Sequence, residues 1–503
     1  MNPRSLSLAS VSGLLLFASF PSIDLSLFAW IALVPLFAAL KGQTARNAFL
    51  LGGLCGIVYF GGTVSWLAHT MHVHGNLAFI PSAVVTLILC SYLALYPALF
   101  AAALAHIGRH RTWAFFLAAP VLWTSFELAR ALLFGGFPWA LLGYSQYTVL
   151  PVIQIADIAG VYGVSFLIVF FNSALAAFLD DRKQLLPLAS ALLLTALALG
   201  YGWFRLAGPT QGPRIRISVI QGNIEQDKKW DPAYQRETFA VYQRLTREAL
   251  REHPDLVIWP ETATPFYFGD ADPAARTMTR ELSDFVKTNK VPLLFGSATR
   301  DPALPTVLHN SAFLLSADGA VAGSYHKLHL VPFGEYVPFK NVLFFAGKMV
   351  QAEEDFEPGY DYPLLFLSVA GQQVPINTAI CYEIIFPDLV RRFVRKGSRI
   401  ITTITNDAWF GKTAAPFQHF SMAVFRAIEN RVPVARAANT GISGFIDDRG
   451  RILSVSTIFS EDYRTSSISP CRALTFYTSY GDIFSYLCVL VSGAMLAKSW
   501  AKV

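Results

Sequence analysis

Long apolar runs fill the first two hundred residues and then give way to the shorter periodicities of a globular domain. The runs lie at about 6–22, 25–40, 48–68, 78–105, 114–134, 159–180 and 184–204, with one more at 481–498. Some are near or below the length that crosses a bilayer, and the pattern predicts about eight transmembrane helices. Between the seventh and eighth runs, 213–470 changes character. Strands are predicted from Arg214 to Gln221, Asp255 to Trp259 and Val291 to Ser297, with a polar helix at about 233–253 and another helix at about 273–289 between them. A hairpin-like pair at about 309–316 and 320–327 follows, then strands over 374–380 and 399–405, a helix near 416–430 and further strands after Val432. Strand–helix alternation followed by hairpins argues for a layered α/β domain. The predicted architecture is a polytopic α-helical membrane domain (1–205), an α/β domain (213–470) and a last membrane helix (481–498).

Composition supports the division. Of the 503 residues 53% are hydrophobic and only 15% charged, too apolar a balance for an ordinary soluble protein. The net charge of +6 forms no patch along the chain, so nucleic acid is not an expected partner. In an eight-span arrangement Arg4, Lys41, Arg46, Arg109, Arg111, Arg182, Lys183, Lys498 and Lys502 all fall on one side. The opposite short loops, 21–24 and 70–76, contain no Lys or Arg. By the positive-inside rule both termini are cytoplasmic and the α/β domain faces outward. The first run follows Arg4 without a small-residue cleavage site, so it is kept as a span and not a signal peptide. Glu127 and Arg130, three apart in the fifth run, are expected to pair on one helical face. The glycine- and aromatic-rich stretch 135–144 beyond them is expected to be non-helical or interfacial at the outer face.

Five cysteines (Cys55, Cys90, Cys381, Cys471, Cys488) contain no CxxC pair, which argues against a disulfide framework and a cysteine-based zinc site. His326 and His329 are too few for a metal site, and no glycine-rich phosphate loop occurs, so no metal and no cofactor is expected.

Candidate chemistry gathers at three strand ends. Cys381 closes the apolar strand 374–380, and Ile384 to Phe393 has the spacing of an amphipathic helix. A thiol on such a junction points out of the sheet near a helix N-terminus, where thiolate and an oxyanion are favoured. Glu261 follows the strand Asp255–Trp259 and Pro260, and Lys327 ends a hairpin strand. A cysteine nucleophile needs a base, which a buried glutamate supplies, and an ammonium nearby stabilises the oxyanion formed on attack. Taken singly, each residue also has an ordinary reading as a cap, a surface lysine or a core thiol.

Trp259-Pro260-Glu261, the lysine ahead of Leu330-Val331-Pro332-Phe333-Gly334-Glu335, and Cys381-Tyr382-Glu383 resemble the Glu–Lys–Cys signature of the nitrilase (carbon–nitrogen hydrolase) superfamily. The flanking spans, His329 to Pro338, Thr405-Asn406-Asp407-Ala408-Trp409-Phe410-Gly411-Lys412, Gln418-His419-Phe420 and Ala438 to Ser443 narrow the resemblance to the membrane-embedded apolipoprotein N-acyltransferase family. The resemblance implies an αββα sandwich for 213–470 on the periplasmic side of a bacterial inner membrane. It also implies Cys381 as nucleophile, Glu261 as general base and Lys327 as oxyanion stabiliser. The implied acyl donor is a phospholipid, and the implied acceptor is an apolipoprotein bearing a diacylglyceryl-modified N-terminal cysteine.

Supporting candidates follow. Glu335 and Glu383 are expected to hydrogen-bond Lys327 or a substrate amine, Asn310 to orient the catalytic groups or cap backbone, and Tyr382 to shape an acyl pocket or pack. Trp230 and Trp409, read as loop aromatics, are expected to contact lipid or gate the site. Phe339 to Met349 reads equally as a lid arm dipping into the membrane face and as a core helix. Three other readings stay open at this level: a membrane-anchored amidase acting on small C–N substrates, a transporter with an accessory domain, and an inactive scaffold.

Overall fold

Because a bilayer leaves backbone polar groups no water to bond, the apolar runs close their hydrogen bonds within helices. A computed structural model describes the chain except residues 76, 109–111, 209–212, 302–303, 305, 337–354, 472–473 and 502–503. Among the described residues, five helices are long and apolar enough to cross a membrane: Phe79–Gly108, Phe115–Gly135, Ala156–Asp180, Leu185–Ala207 and Ile483–Trp500. The pair Ala45–Thr63 and Trp66–Val73, bent by 50°, makes a sixth if counted as one span. The first two predicted runs form the shorter apolar helices Pro3–Ala18 and Ser26–Leu40. Small residues let these helices approach: a β-carbon on Gly52 would lie 2.3 Å from the Pro97 carbonyl of Phe79–Gly108.

Glu127 and Arg130 form no ion pair with each other within 4 Å, contrary to the expected i,i+3 pair. Arg130 donates instead to the Phe137 carbonyl (3.1 Å) and the Ala140 carbonyl (3.2 Å), and Glu127 accepts from the Leu142 N–H at 2.7 Å. The irregular segment after the helix has backbone groups without helical partners, and the two charges satisfy them.

Among the described residues, twelve strands build two six-stranded sheets. They are β1 (Ile215–Gln221), β2 (Leu256–Ile258), β3 (Leu293–Arg300), β4 (Leu308–Leu315), β5 (Val321–His326), β6 (Leu365–Val369), β7 (Gln372–Ile380), β8 (Ile400–Thr405), β9 (Val434–Ala438), β10 (Gly444–Ile446), β11 (Ile452–Val455) and β12 (Asp462–Ile468). One sheet has the order β12-β1-β2-β3-β4-β5 and the other β11-β10-β9-β8-β7-β6. The period of two assigns neighbouring side chains to different cores. In β3, Leu293 and Phe295 pack with Phe239 and Leu282 of the helices Gln235–Ala249 and Pro273–Asn289. Leu294 between them joins Ile380 and Ile404 of the facing sheet. The helices Pro387–Arg395 and Ala415–Asn430 cover the second sheet, which completes four α–β–β–α layers.

Two departures from the predicted elements matter for the site. Cys381–Ile385 is a 3-10 turn, and the helix begins only at Pro387, whose fixed φ suits a first helical position. The helix Ala415–Asn430 is buried along nearly its whole length, not on one stripe, because membrane helices cover the side turned away from the sheet. Its polar residues are therefore paired: Arg426 with Glu429 and Tyr144, and Val161 N–H with Glu429.

Candidate functional site

Strands β2, β5 and β7 end at one place and deliver Glu261, Lys327 and Cys381 to it. Glu261, 6% exposed, stands just beyond β2 in a turn where Thr262 has φ +45°. Its Oε1 accepts from Lys327 Nζ at 3.3 Å and Asn310 Nδ2 at 2.8 Å, and its Oε2 from the Asn406 N–H at 2.8 Å. Lys327 also donates to Glu335 Oε1 at 2.9 Å. Glu335 is fixed in turn by Asn310 Nδ2 (2.7 Å) and by the Val331 N–H (2.7 Å). Of the two glutamates weighed from the sequence, Glu335 is the one beside Lys327. Glu383 points elsewhere, accepting from Tyr325 Oη (2.6 Å) and from the N–H groups of Leu328 (2.7 Å), His329 (3.2 Å) and Ile380 (2.7 Å). It ties the end of β7 to the end of β5.

Cys381 has φ +51°, a left-handed conformation that costs roughly 1–2 kcal/mol for a residue with a β-carbon. That turn sets the thiol among Glu261, Lys327 and Thr405, each of which acts on its ionisation. Burial, then the charge of Glu261, pushes the thiol well above its usual range. For Glu261 burial alone would raise the carboxyl, but Lys327, Lys229 and Asn310 outweigh it and hold the group below its usual range. Burial likewise opposes the charge on Lys327, and Glu335 with Glu261 overcomes it, so the ammonium persists. The resting site is thus a neutral thiol beside an ionised carboxylate and a charged lysine. A thiol stands beside a hydrogen-bonded cluster of carboxylates and an ammonium, the set of groups that nucleophilic catalysis by cysteine uses.

The family profile described as the apolipoprotein N-acyltransferase N-terminal domain matches residues 12–174, and the carbon-nitrogen hydrolase profile matches 216–473. An apolipoprotein N-acyltransferase of Geobacter metallireducens is 43% identical over 508 residues, covering 99% of this chain and 96% of that protein. The chain belongs to the apolipoprotein N-acyltransferase family. Proteins of the same name from Haemophilus influenzae (33% identical, 95% of this chain, 92% of that protein) and Pasteurella multocida (32%, 95% and 92%) are similar along the same extent. Among solved structures, the amidase from Nesterenkonia sp. AN1 is 20% identical with a TM-score of 0.39, covering 52% of this chain and 94% of that one.

Other residues of this acyltransferase-family site take varied positions. Asn310 is 3% exposed, and its amide nitrogen bridges the two carboxylates, not backbone. Tyr382 packs on Phe386 (5.1 Å) and His329 (5.8 Å). Trp230 is 40% exposed beside Tyr267 at 6.3 Å. Trp409, in the 3-10 turn Asp407–Phe410, stands edge-to-face against His74 of the membrane domain at 5.5 Å. Phe339 and the 339–349 arm lie outside the described residues. Lys229 was not singled out from the sequence, where Lys228-Lys229 looks like a surface pair. Lys229 is 2% exposed and donates to the Glu261 carbonyl at 2.9 Å, and burial lowers it to about 8 despite the pull of Glu261. Also unforeseen is the group under the nucleophile: Asp407 accepts from Arg436 at 2.8 Å, and His419 Nε2 lies 3.1 Å from the Cys381 carbonyl. Asp407 and His419 lie in motifs that carry the family resemblance, but nothing local marks their place under Cys381 or that of Lys229 under Glu261, since those partners are distant in the chain.

Proposed function

We propose that this chain moves a fatty acyl group from a membrane phospholipid to the α-amine of the diacylglyceryl-modified N-terminal cysteine of apolipoproteins. The observation that carries the reading is the convergence of Cys381, Glu261 and Lys327, buttressed by Glu335 and Asn310, in a chain of this family. Cys381 Sγ attacks the ester carbonyl while Glu261 takes the thiol proton, and the oxyanion that forms faces Lys327. As the ester C–O bond breaks, Glu261 returns the proton to the departing lysophospholipid oxygen, leaving a thioester on Cys381. The acceptor amine attacks that thioester, Glu261 takes its proton, and the C–S bond breaks to release the amide. The proton then returns to sulfur. Glu335 keeps Lys327 charged through both halves.

The distribution of Lys and Arg supports a bacterial inner-membrane protein with cytoplasmic termini and the α/β domain on the periplasmic side. Mounting the cleft there lets donor and lipidated acceptor arrive by lateral diffusion. Trp230 and Trp409 are assigned to lipid contact at the rim.

The test is intact mass of the purified protein after incubation with phospholipid, wild type beside Cys381→Ala. An acyl mass on the wild type alone, removed by hydroxylamine and discharged by a diacylglyceryl-cysteine peptide, is expected. Absence of an adduct on the wild type, with release of ammonia from small amides, would point to an amidase instead.

A further inference from the structure

The membrane half is more than an anchor if it touches the chemistry, and one side chain makes that connection. Gln418, 2% exposed on the helix Ala415–Asn430, has its amide filled entirely by membrane-domain partners. Its Oε1 accepts from the indoles of Trp66 (3.3 Å) and Trp139 (2.7 Å). Its Nε2 donates to the carbonyls of Pro21 (2.9 Å) and Thr63 (3.0 Å). A primary amide has two donors and two acceptor positions, so all four are used. Turning the amide over would set donors against donors and carbonyls against its oxygen, so the orientation is decided by the partners.

The next residue reaches the nucleophile. His419 Nε2 is 3.1 Å from the Cys381 carbonyl, which only accepts, so that nitrogen carries the hydrogen. The other ring nitrogen lies between Arg436 Nη2 (3.0 Å) and Asp407 Oδ1 (3.1 Å), and Trp139, the stronger partner of Gln418, stacks on the ring at 5.8 Å. Cys381 needs such support, because its left-handed backbone sets the direction of the thiol and is resisted by its own β-carbon.

We infer that Gln418 and His419 are positioning residues through which the membrane segments around Pro21, Thr63, Trp66 and Trp139 set the backbone of the nucleophile Cys381. The inference rests on the acyltransferase reading for its consequence but not for its geometry. Arrangement of the membrane helices is thereby read out at sulfur, and a catalytic domain parted from them lacks the contact that orients its thiol.

The experiment uses the full-length protein in detergent, with Gln418→Leu and, in the membrane half, Trp139→Phe, which keeps an aromatic ring on His419 while removing the indole N–H and the second ring. The rate of Cys381 alkylation by iodoacetamide is followed by peptide mass, beside kcat and KM for acyl transfer and the unfolding temperature. Gln418→Leu is expected to slow alkylation and lower kcat by up to about 100-fold, the effect of a misplacement near 1 Å, with KM within about threefold. Trp139→Phe is expected to move both rates in the same direction by about threefold to tenfold at temperatures well below its unfolding transition, where the protein is fully folded. Wild-type alkylation rates in both variants overturn the inference. So does a loss in Gln418→Leu that only tracks a lowered unfolding temperature while Trp139→Phe behaves as wild type. Failure of the wild type to form any acyl adduct would overturn the acyltransferase reading separately, since alkylation needs no acyl donor.

Discussion

Glu261 and Lys327 hold buried charge beside a reactive thiol, while Arg431 and Asp157 hold it at the seam between the α/β domain and the membrane helices. At the seam, Asp157 Oδ2 accepts from Arg431 Nη2 (2.8 Å) and Nε (3.0 Å), and Arg205 approaches at 3.1 Å. Arg431 also donates to Gln154 Oε1 at 2.6 Å, so the charges there are consumed in joining two parts of the molecule. At the site, the Lys327–Glu261 contact is the long one at 3.3 Å, and the Glu261 carboxylate acts on the neighbouring thiol, whose ionisation it opposes. Breaking a buried ion pair at a seam unfolds structure, whereas removing a charge at the site disarms chemistry. Burial alone does not separate the two cases. What does is whether a carboxylate oxygen remains for a reacting group.

The comparison is broken most sharply by Glu261→Gln, which keeps shape and removes the base. Cys381 acylation is expected to fall about a thousandfold, with the unfolding temperature little changed. Parallel loss of stability would place Glu261 with the seam residues instead. Asp157→Asn should do the reverse: a loss of about 3–5 kcal/mol in stability from the stranded Arg431, with the acylation rate per folded molecule within about twofold. Chemical unfolding beside single-turnover acylation reads both quantities.

Lys229 sharpens the contrast through pH. Its ammonium is lowered to about 8 from 10.5 by burial, so between those values the unfolded chain binds more protons and wild-type stability rises with pH. Lys229→Met lacks this dependence. Its stability relative to wild type should therefore fall by up to about 3 kcal/mol from pH 8 to pH 10.5, at about 1.4 kcal/mol for each unit of displacement. A flat difference across that window in unfolding experiments contradicts a buried, charged Lys229. The smallest effect is expected at the rim, where Trp409→Ala loses an aromatic contact worth about 1 kcal/mol and should raise the phospholipid KM about fivefold with kcat unchanged.

Much of this was legible without coordinates. The strands carrying Glu261, Lys327 and Cys381 announce themselves by apolar runs that stop at a polar or reactive residue, and those stops are local. The αββα layers follow from the same alternation. Glu335 and Glu383 show the limit: both are glutamates near a motif, but one supports Lys327 and the other closes four hydrogen bonds away from it. Glu127 and Arg130 show it again, since helical spacing suggested a mutual pair and the irregular backbone ahead of them took both.

By itself the sequence determined the change from apolar helices to an α/β domain, the three strand-end residues Glu261, Lys327 and Cys381 as candidates, and the family. Each of these is written in periodicity, composition or contiguous motifs. Only the tertiary structure decided which carboxylate backs Lys327, that Lys229 is buried under Glu261, and that Gln418 ties the membrane helices to the nucleophile's support. The reason is distance along the chain: Gln418 meets Thr63 across 355 positions and Asn406 meets Glu261 across 145. Such contacts are selected by how whole elements pack, and neighbouring residues carry no mark of them.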